Sequence, residues 1–377
     1  MKANPGGILA PEDVIGRDKL IAKIWAILEQ QSVILSAERR MGKTNMIKKM
    51  QAEGKDNKLI IFRDLEGMRS PIEFVEAVWE DVEKYLSKSQ KTTQKVRQFI
   101  SQFQDAEFSG FKFPKIAATH WKILLTKTIE DLVTNQEHQV IFLWDEVPYM
   151  LGNIGDEESM EMLDILRSLR QNYPQVRMVF TGSIGLHHVI KKLKEAGYKN
   201  DPTNDMYPID VPPLSLSNAS ELTTRLIEGE KIETDNIEIM AQYISEEVSG
   251  IPFYIHILIS KLKFIYGFID KKTVEKTINK SLINPLNIWK IEHYRDRIDN
   301  YYTEYEKKYA LKILDILAIE SGLSFQDLWN RLALDDEEIF RSVLKLLLKD
   351  YYLIKENTIF KFKINIVKKY WVISRTL

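Results

Sequence analysis

Val33-Ile-Leu-Ser-Ala-Glu-Arg-Arg-Met-Gly-Lys-Thr44 is the segment that most narrows the folds open to this chain. A short apolar strand runs into an eight-residue turn closing on Gly42-Lys43-Thr44, and a helix-compatible stretch, Asn45-Met-Ile-Lys-Lys-Met50, follows. That is the layout of a phosphate-binding loop. The turn aims successive backbone N–H groups and a helix N-terminus at a polyphosphate, the Lys43 ammonium meets the β- and γ-phosphates, and the Thr44 hydroxyl ligates Mg²⁺. Nucleotide contacts are accordingly expected from Ala37, Arg39, Arg40, Met41, Gly42, Lys43, Thr44 and Asn45. The usual pattern opens with Gly where this chain has Ala37. Alanine is tolerated there at negative φ and strained at positive φ.

A second segment lies about a hundred residues on. Gln139-Val-Ile-Phe-Leu-Trp-Asp-Glu-Val147 is a continuous apolar run that ends in two adjacent carboxylates, as expected of a parallel strand buried on both faces. Beside a phosphate-binding loop, Asp145 would hold the Mg²⁺ shell through water or Thr44. Glu146 would polarise the attacking water as general base. Taken by itself, an Asp-Glu pair is more simply a polar loop; the loop upstream gives it a task.

At 377 residues the chain is too long for one compact core and suggests two or three domains. It has no cysteine, which excludes a disulfide framework, a thiolate metal site and a cysteine nucleophile together. Met1-Lys-Ala-Asn-Pro-Gly-Gly7 carries no apolar signal region, so a cytoplasmic location is expected. The longest apolar stretch, Ile251 to Ile269, contains His256, Lys261 and Lys263. Each lysine costs about 2.5–3.5 kcal/mol at a bilayer centre, so the stretch reads as a buried helix and no membrane is expected as a partner. A net charge of −1 gives no global pull toward nucleic acid, and any basic surface must be local.

Strands and helices alternate from about residue 8 to residue 214. Leu20, Ile21, Ile24, Ile27 and Leu28 share one face of a helix over 18–30, and Lys58 to Asp64 reads as a second buried strand. Pro71 opens a helix with Phe74, Val75, Val78 and Val82 as its stripe. The Lys-, Gln- and Ser-rich stretch 87–119, with a hairpin-like alternation over Phe108 to Phe113, reads as an insertion. Helices over 121–133 and 160–171, a strand over 176–183 and a last short strand over 205–211 complete an α/β unit, 1–214. Thr181 and Ser183 stand where a sensor would touch the γ-phosphate or lytic water, with a plain turn as the simpler alternative. Beyond Leu214 only helices are expected, broken at Ser249-Gly250-Ile251-Pro252, in a unit 215–300. In 301–377, helices over 309–319, 325–332 (capped by Ser324) and 335–349 precede two strands, 351–355 and 358–362, pairing across Glu356-Asn357. Three short helices and a hairpin make a winged helix.

The chain resembles the prokaryotic ATPases of the STAND and origin-recognition-like branches of the AAA+ superclass. The resemblance rests on Val14-Ile-Gly-Arg17, Ala37 to Thr44, Phe142-Leu-Trp-Asp-Glu-Val-Pro148, Phe180-Thr-Gly-Ser-Ile-Gly185, Ser249-Gly-Ile-Pro252, and the aromatic and basic pattern of 352–371. It implies an α/β fold: a parallel AAA+-like P-loop NTPase sheet with a helical lid and a C-terminal winged helix. It also implies ATP or ADP and Mg²⁺ as cofactors, with Gly250 and Pro252 in the lid over adenine and Ile15, Gly16 and Arg17 bordering the base. Arg167 and Arg170, on the helix after the carboxylates, are the candidates for an arginine acting on a neighbouring subunit. Such ATPases resemble switches, so the first reading is a slow, Mg²⁺-dependent ATPase acting through a protein partner or effector in defence or signalling, with ATP-dependent oligomers. The second is a DNA-binding initiator or transposition helper, and the third a nucleotide-stabilised scaffold without turnover. For DNA, the helix that would enter a groove starts Asp335-Asp-Glu-Glu338, repulsive to phosphate, while Lys345, Lys349, Lys355, Lys361, Lys363, Lys368 and Lys369 could meet a backbone.

Overall fold

The structure, a computed structural model, describes residues 1–85, 115–182, 185–284, 286, 288–333 and 335–377. They form two compact units, one of Arg17–Arg39 and Lys43–Val211, the other of Met1–Gly16, Arg40–Gly42 and Pro212–Leu377. Most of the insertion read at 87–119, including the Phe108–Phe113 hairpin, lies outside the described residues, as does Ser183.

The first unit is built on β1 (Ser32–Ser36), β2 (Lys58–Asp64), β3 (Gln139–Asp145), β4 (Val176–Thr181) and β5 (Met206–Asp210). All four pairings are parallel, in the order β2-β3-β4-β1-β5. β3 is buried from Val140 to Asp145, as its unbroken apolar run requires when helices cover both faces. Its C-terminal end is held by aromatic packing. Trp144 stacks on Phe142 at 4.9 Å and on Phe180 at 6.0 Å, and meets Phe74 edge-on at 5.1 Å. That packing fixes the strand end from which Asp145 projects. Helices Asp18–Leu28, Lys43–Glu53, Pro71–Tyr85, Trp121–Thr134 and Asp156–Asn172 follow the spacing of their apolar residues. Two short helices were not expected: Val147–Asn153, directly after the carboxylate pair, and Leu186–Glu195, after β4.

The second unit is helical up to residue 319, through Leu216–Glu230, Ile237–Glu247, Pro252–Leu262, Lys271–Leu282, His293–Tyr301 and Glu304–Ile319. A two-residue strand, β6 (Leu323–Ser324), then leads through helices Phe325–Leu332 and Glu337–Lys349 to the hairpin β7 (Leu353–Glu356) and β8 (Ile359–Phe362), and helix Asn365–Arg375 follows. β8 pairs with both β7 and β6, so the three helices and the hairpin read from the sequence are present with a short third strand added. Ser324 and Asp336 cap their helices by accepting from the N–H groups of Asp327 (3.2 Å) and Ile339 (3.0 Å). The hairpin turns at Asn357 and Thr358, one residue later than the sequence suggested, with Asn357 at φ 53°. The stretches 215–300 and 301–377 belong to this one unit. Tyr302 donates to buried Asp350 at 2.7 Å, Tyr352 donates to the Tyr294 carbonyl at 2.6 Å, and Lys369 pairs with Glu247 at 2.5 Å.

The buried helix read over Ile251 to Ile269 is half correct. It stops at Leu262, and Lys263 to Phe268 leave the core as an exposed loop that turns at Gly267, φ 89°. Among the described residues no helix is long and apolar enough to cross a membrane.

His256, on helix Pro252–Leu262, accepts from the Asn4 N–H at its Nδ1, 3.1 Å away, and is therefore neutral. Burial pushes its pKa down from 6.5 to about 4, against a weaker opposing pull from Asp13. The unfolded chain thus takes up a proton as pH falls through 6.5, and the folded chain does so only near 4. Its stability contribution is complete above pH 6.5 and lost across that window, about 2 kcal/mol at pH 5. Thermal unfolding of the wild type should show this slope between pH 7 and 5, and His256→Gln should remove it. Parallel pH profiles for the two proteins would contradict the assignment.

Candidate nucleotide site

β1 ends at Ser36, and the loop after it bends through Arg40 at φ 72° and Gly42 at φ 83° before helix Lys43–Glu53 starts. A Cβ at Gly42 would meet nothing within 4 Å, so this glycine is set by its backbone angle and not by space. Ala37 keeps a negative φ, so the missing loop glycine carries no strain. Lys43 is buried at the helix start and donates to the carbonyls of Ala37 (3.0 Å) and Glu38 (3.2 Å), which curls the loop around its ammonium.

The Thr44 hydroxyl donates to Asp145 Oδ2 at 2.5 Å, and the Glu146 N–H donates to Oδ1 at 3.0 Å. Residues a hundred positions apart in the chain are thereby joined at the C-terminal edge of the sheet, where ligands bind in open α/β folds. Burial pushes the Asp145 carboxyl above its ordinary pKa; Thr44, the Glu146 N–H and Lys43 pull it down, and Asp64 pushes it up. A hydroxyl and a buried carboxylate together are hard oxygen donors. They suit Mg²⁺, whose charge would offset the burial of Asp145.

Glu146 takes the left-handed conformation, φ 58° and ψ 31°, and so turns its side chain away from the strand line as helix Val147–Asn153 begins. Such a backbone costs about 1 kcal/mol or more for a non-glycine residue and concentrates at functional positions. Its carboxylate stands at the tip of β4. A Cβ on Gly182 would lie 3.5 Å from Glu146 Oε2 and only 2.6 Å from Pro148 Cδ, so Gly182 is glycine because there is no room.

β4 lies between β1 and β3, with Thr181 opposite Leu35 and Phe180 opposite Trp144. Thr181 is therefore placed between the start of the loop and Asp145. Its hydroxyl is buried and has no hydrogen-bond partner among the described residues, a deficit of about 1–3 kcal/mol that a ligand atom could repair. The sequence reading did not single out Asp64, which ends β2 in register with Asp145, or Gly182. Nor did it single out Glu38, buried within the loop.

The other expected positions fall as follows. Arg39 and Arg40 lie on the loop. Arg40 clusters with the helical unit, where its guanidinium sits 4.3 Å from the Phe253 ring centre. Gly16, φ 71°, packs against Asn218, which a Cβ would meet at 2.6 Å, and Ile15 precedes it. Pro252 opens its helix after Gly250, whose φ of 65° and approach to the Leu214 carbonyl exclude a side chain. Arg170 is not poised to act on a neighbour. It is buried, donating to both Asp205 oxygens at 2.8 and 2.9 Å and to the Pro202 carbonyl at 2.6 Å.

Sheet order, loop, and the Thr44–Asp145 pairing together define an α/β fold of the P-loop NTPase type. Among solved structures, the chain is similar to the Walker-type ATPase PABY2304 of Pyrococcus abyssi, with a TM-score of 0.65 and 18% identity over 98% of this chain and 99% of that one. A weaker likeness, TM-score 0.45 and 11% identity over 99% and 98% of the two chains, is to the ORC2 protein of Aeropyrum pernix, solved as ADPNP-ADP complexes. A STAND protein with a tetratricopeptide repeat sensor, PH0952 of Pyrococcus horikoshii, is similar at a TM-score of 0.38 and 12% identity, over 98% of this chain and 43% of that one. No protein-family model matches the chain, and comparison with curated proteins finds no match.

Proposed function

We propose that the chain binds ATP with Mg²⁺ at its P-loop, hydrolyses it slowly, and uses the difference between bound triphosphate and diphosphate as a conformational switch acting on protein partners. The observation that carries this is the 2.5 Å bond between Thr44 and Asp145, with Lys43 held in the same loop. Lys43 would exchange its two carbonyl acceptors for β- and γ-phosphate oxygens. Thr44 and Asp145 would hold Mg²⁺, which neutralises phosphate charge when bound. Glu146 would accept a proton from the attacking water, and the Thr181 hydroxyl would find in the γ-phosphate or that water the partner it lacks among the described residues.

Protein partners are favoured over DNA by the winged element itself. Asp336 and Glu337 open the helix that would face a groove, and four of the seven lysines that could meet a backbone are engaged within the chain. Lys361 pairs with Glu356 at 2.6 Å, Lys369 with Glu247 at 2.5 Å, Lys368 donates to the Glu320 carbonyl, and Lys363 lies 4.2 Å from the Tyr351 ring centre. Phosphate contact would have to break these ties first.

Asp145→Asn tests the metal role. It should weaken ATP binding in Mg²⁺ by about tenfold or more while leaving binding in EDTA nearly unchanged, because a neutral amide is a poor ligand for a hard dication. An equal fall under both conditions would make Asp145 a structural residue only.

A further inference from the structure

The loop that leaves helix Pro252–Leu262 carries an exposed apolar tip. Phe264 is 74% exposed, Tyr266 is fully exposed, and Ile265 and Phe268 are also open to solvent. The tip is anchored at both ends. Ile265 N–H donates to the Leu262 carbonyl at 2.9 Å, and Ile269, buried, donates to the Glu233 carbonyl at 2.8 Å. Its flanks are basic, with Lys261, Lys263, Lys271 and Lys272 against Asp270, and Lys263 reaching Glu230 at 3.5 Å. Exposure of consecutive large apolar side chains on an anchored turn marks an interaction site.

The α/β unit carries a counterpart. A groove of about 470 Å³ lies along helix Asp18–Leu28 and past the end of helix Lys43–Glu53, lined by Ala22, Trp25 and Ala26 and by Asp18, Glu29 and Glu53. These carboxylates pair with lysines, yet the exposed partner is the acid in each case. Side-chain exposure is 73% for Asp18, 58% for Glu29 and 49% for Glu53, against 8% for Lys49 and 7% for Lys58 beneath them. Lys55 is the basic member of the lining. The lining therefore combines apolar side chains with exposed carboxylates. Its size is within the range of about 300–1,000 Å³ usual for binding pockets.

We infer that the Phe264–Phe268 tip of one copy of this chain docks in the Asp18–Leu28 groove of a second copy. An apolar tip with basic flanks matches a groove lined by apolar side chains and exposed carboxylates, and every chain carries both. Because the two patches differ, the contact is head-to-tail, and repeating it gives either a closed ring or an open filament. The inference does not draw on the nucleotide site, so either can fail alone.

The absence of native cysteine makes the test direct. Tyr266→Cys and Ala22→Cys, both at exposed positions, are purified separately, mixed, and oxidised mildly with and without Mg²⁺ and ATP. Only a contact between copies can link them, and a disulfide requires the two Cβ atoms to approach to about 3.5–4.5 Å. A disulfide-linked product of two chains, formed by the mixture in at least one of these conditions, is expected. No linkage in either condition overturns the inference, as does equal linkage of Ala22→Cys to Tyr305→Cys, an exposed aromatic position outside the loop. Linkage of Tyr266→Cys only to itself would mean a symmetric tip contact and also overturns it. Sedimentation of Ala26→Arg, which fills the groove, should shift toward the single-chain value, and an unchanged profile from an associating wild type would contradict the proposed socket.

Discussion

Glu146→Gln should bind ATP as the wild type does and turn it over about 10²–10⁴-fold more slowly. Glutamine keeps the volume and hydrogen-bonding reach of the side chain but cannot take a proton from water. The left-handed backbone at residue 146 and the close contact between Gly182 and Pro148 are unaffected by the exchange, so the fold around it should persist. With hydrolysis blocked, the ATP-bound form accumulates. A switch governed by the γ-phosphate should then hold its ATP shape or assembly longer in the mutant, as seen by scattering or sizing. Hydrolysis at the wild-type rate would move the base elsewhere, and a stalled enzyme with no change of shape would favour a nucleotide-stabilised scaffold over a switch.

Lys43→Ala should remove nearly all affinity for ATP. In the chain as it stands the ammonium is buried and satisfied by two loop carbonyls, so the cation is already desolvated and aimed into the loop before any phosphate arrives. Charge-assisted hydrogen bonds contribute about 1.5–3 kcal/mol each, so loss of two to phosphate oxygens lowers affinity by about 10²–10⁴-fold. The carbonyls of Ala37 and Glu38 would also lose their donor and face incoming phosphate oxygens. ATP should raise the unfolding temperature of the wild type but not of this mutant. A mutant stabilised by ATP to the wild-type extent would remove Lys43 from the site.

Much of this arrangement can be read in the sequence because its signals are local. The loop from Ala37 to Thr44 carries its own turn chemistry, and the unbroken apolar run of β3 shows a strand buried on both faces. Caps such as Ser324 mark helix starts within four residues. What escaped depends on distance in the chain. Asp64 matters only through its register with Asp145, the Thr181 hydroxyl only through the strands on either side of it, and Gly182 only because Pro148 folds back over it. Helix Leu186–Glu195 has apolar residues at 186, 189, 190 and 193, a helical spacing that the polar Thr181-Gly-Ser183 tip overshadowed. The run Ile251 to Ile269 misled for a different reason. Hydrophobicity alone does not say where a helix stops, and Lys263 to Phe268 keep the composition of the core while leaving it. Arg170 likewise had the residue type of a reaching arginine, and its commitment to Asp205 is invisible until the turn that leads into β5 is placed.

The most direct test of the nucleotide site is calorimetric titration of the wild-type chain with ATP in Mg²⁺ and in EDTA, with Lys43→Ala alongside. Saturable binding of one ATP per chain, tighter in Mg²⁺ than in EDTA and absent or weakened by about 10²-fold or more in the mutant, is the predicted result. No binding by the wild type, or equal affinity in wild type and mutant, would contradict the assignment of the Lys43, Thr44 and Asp145 cluster as an ATP site.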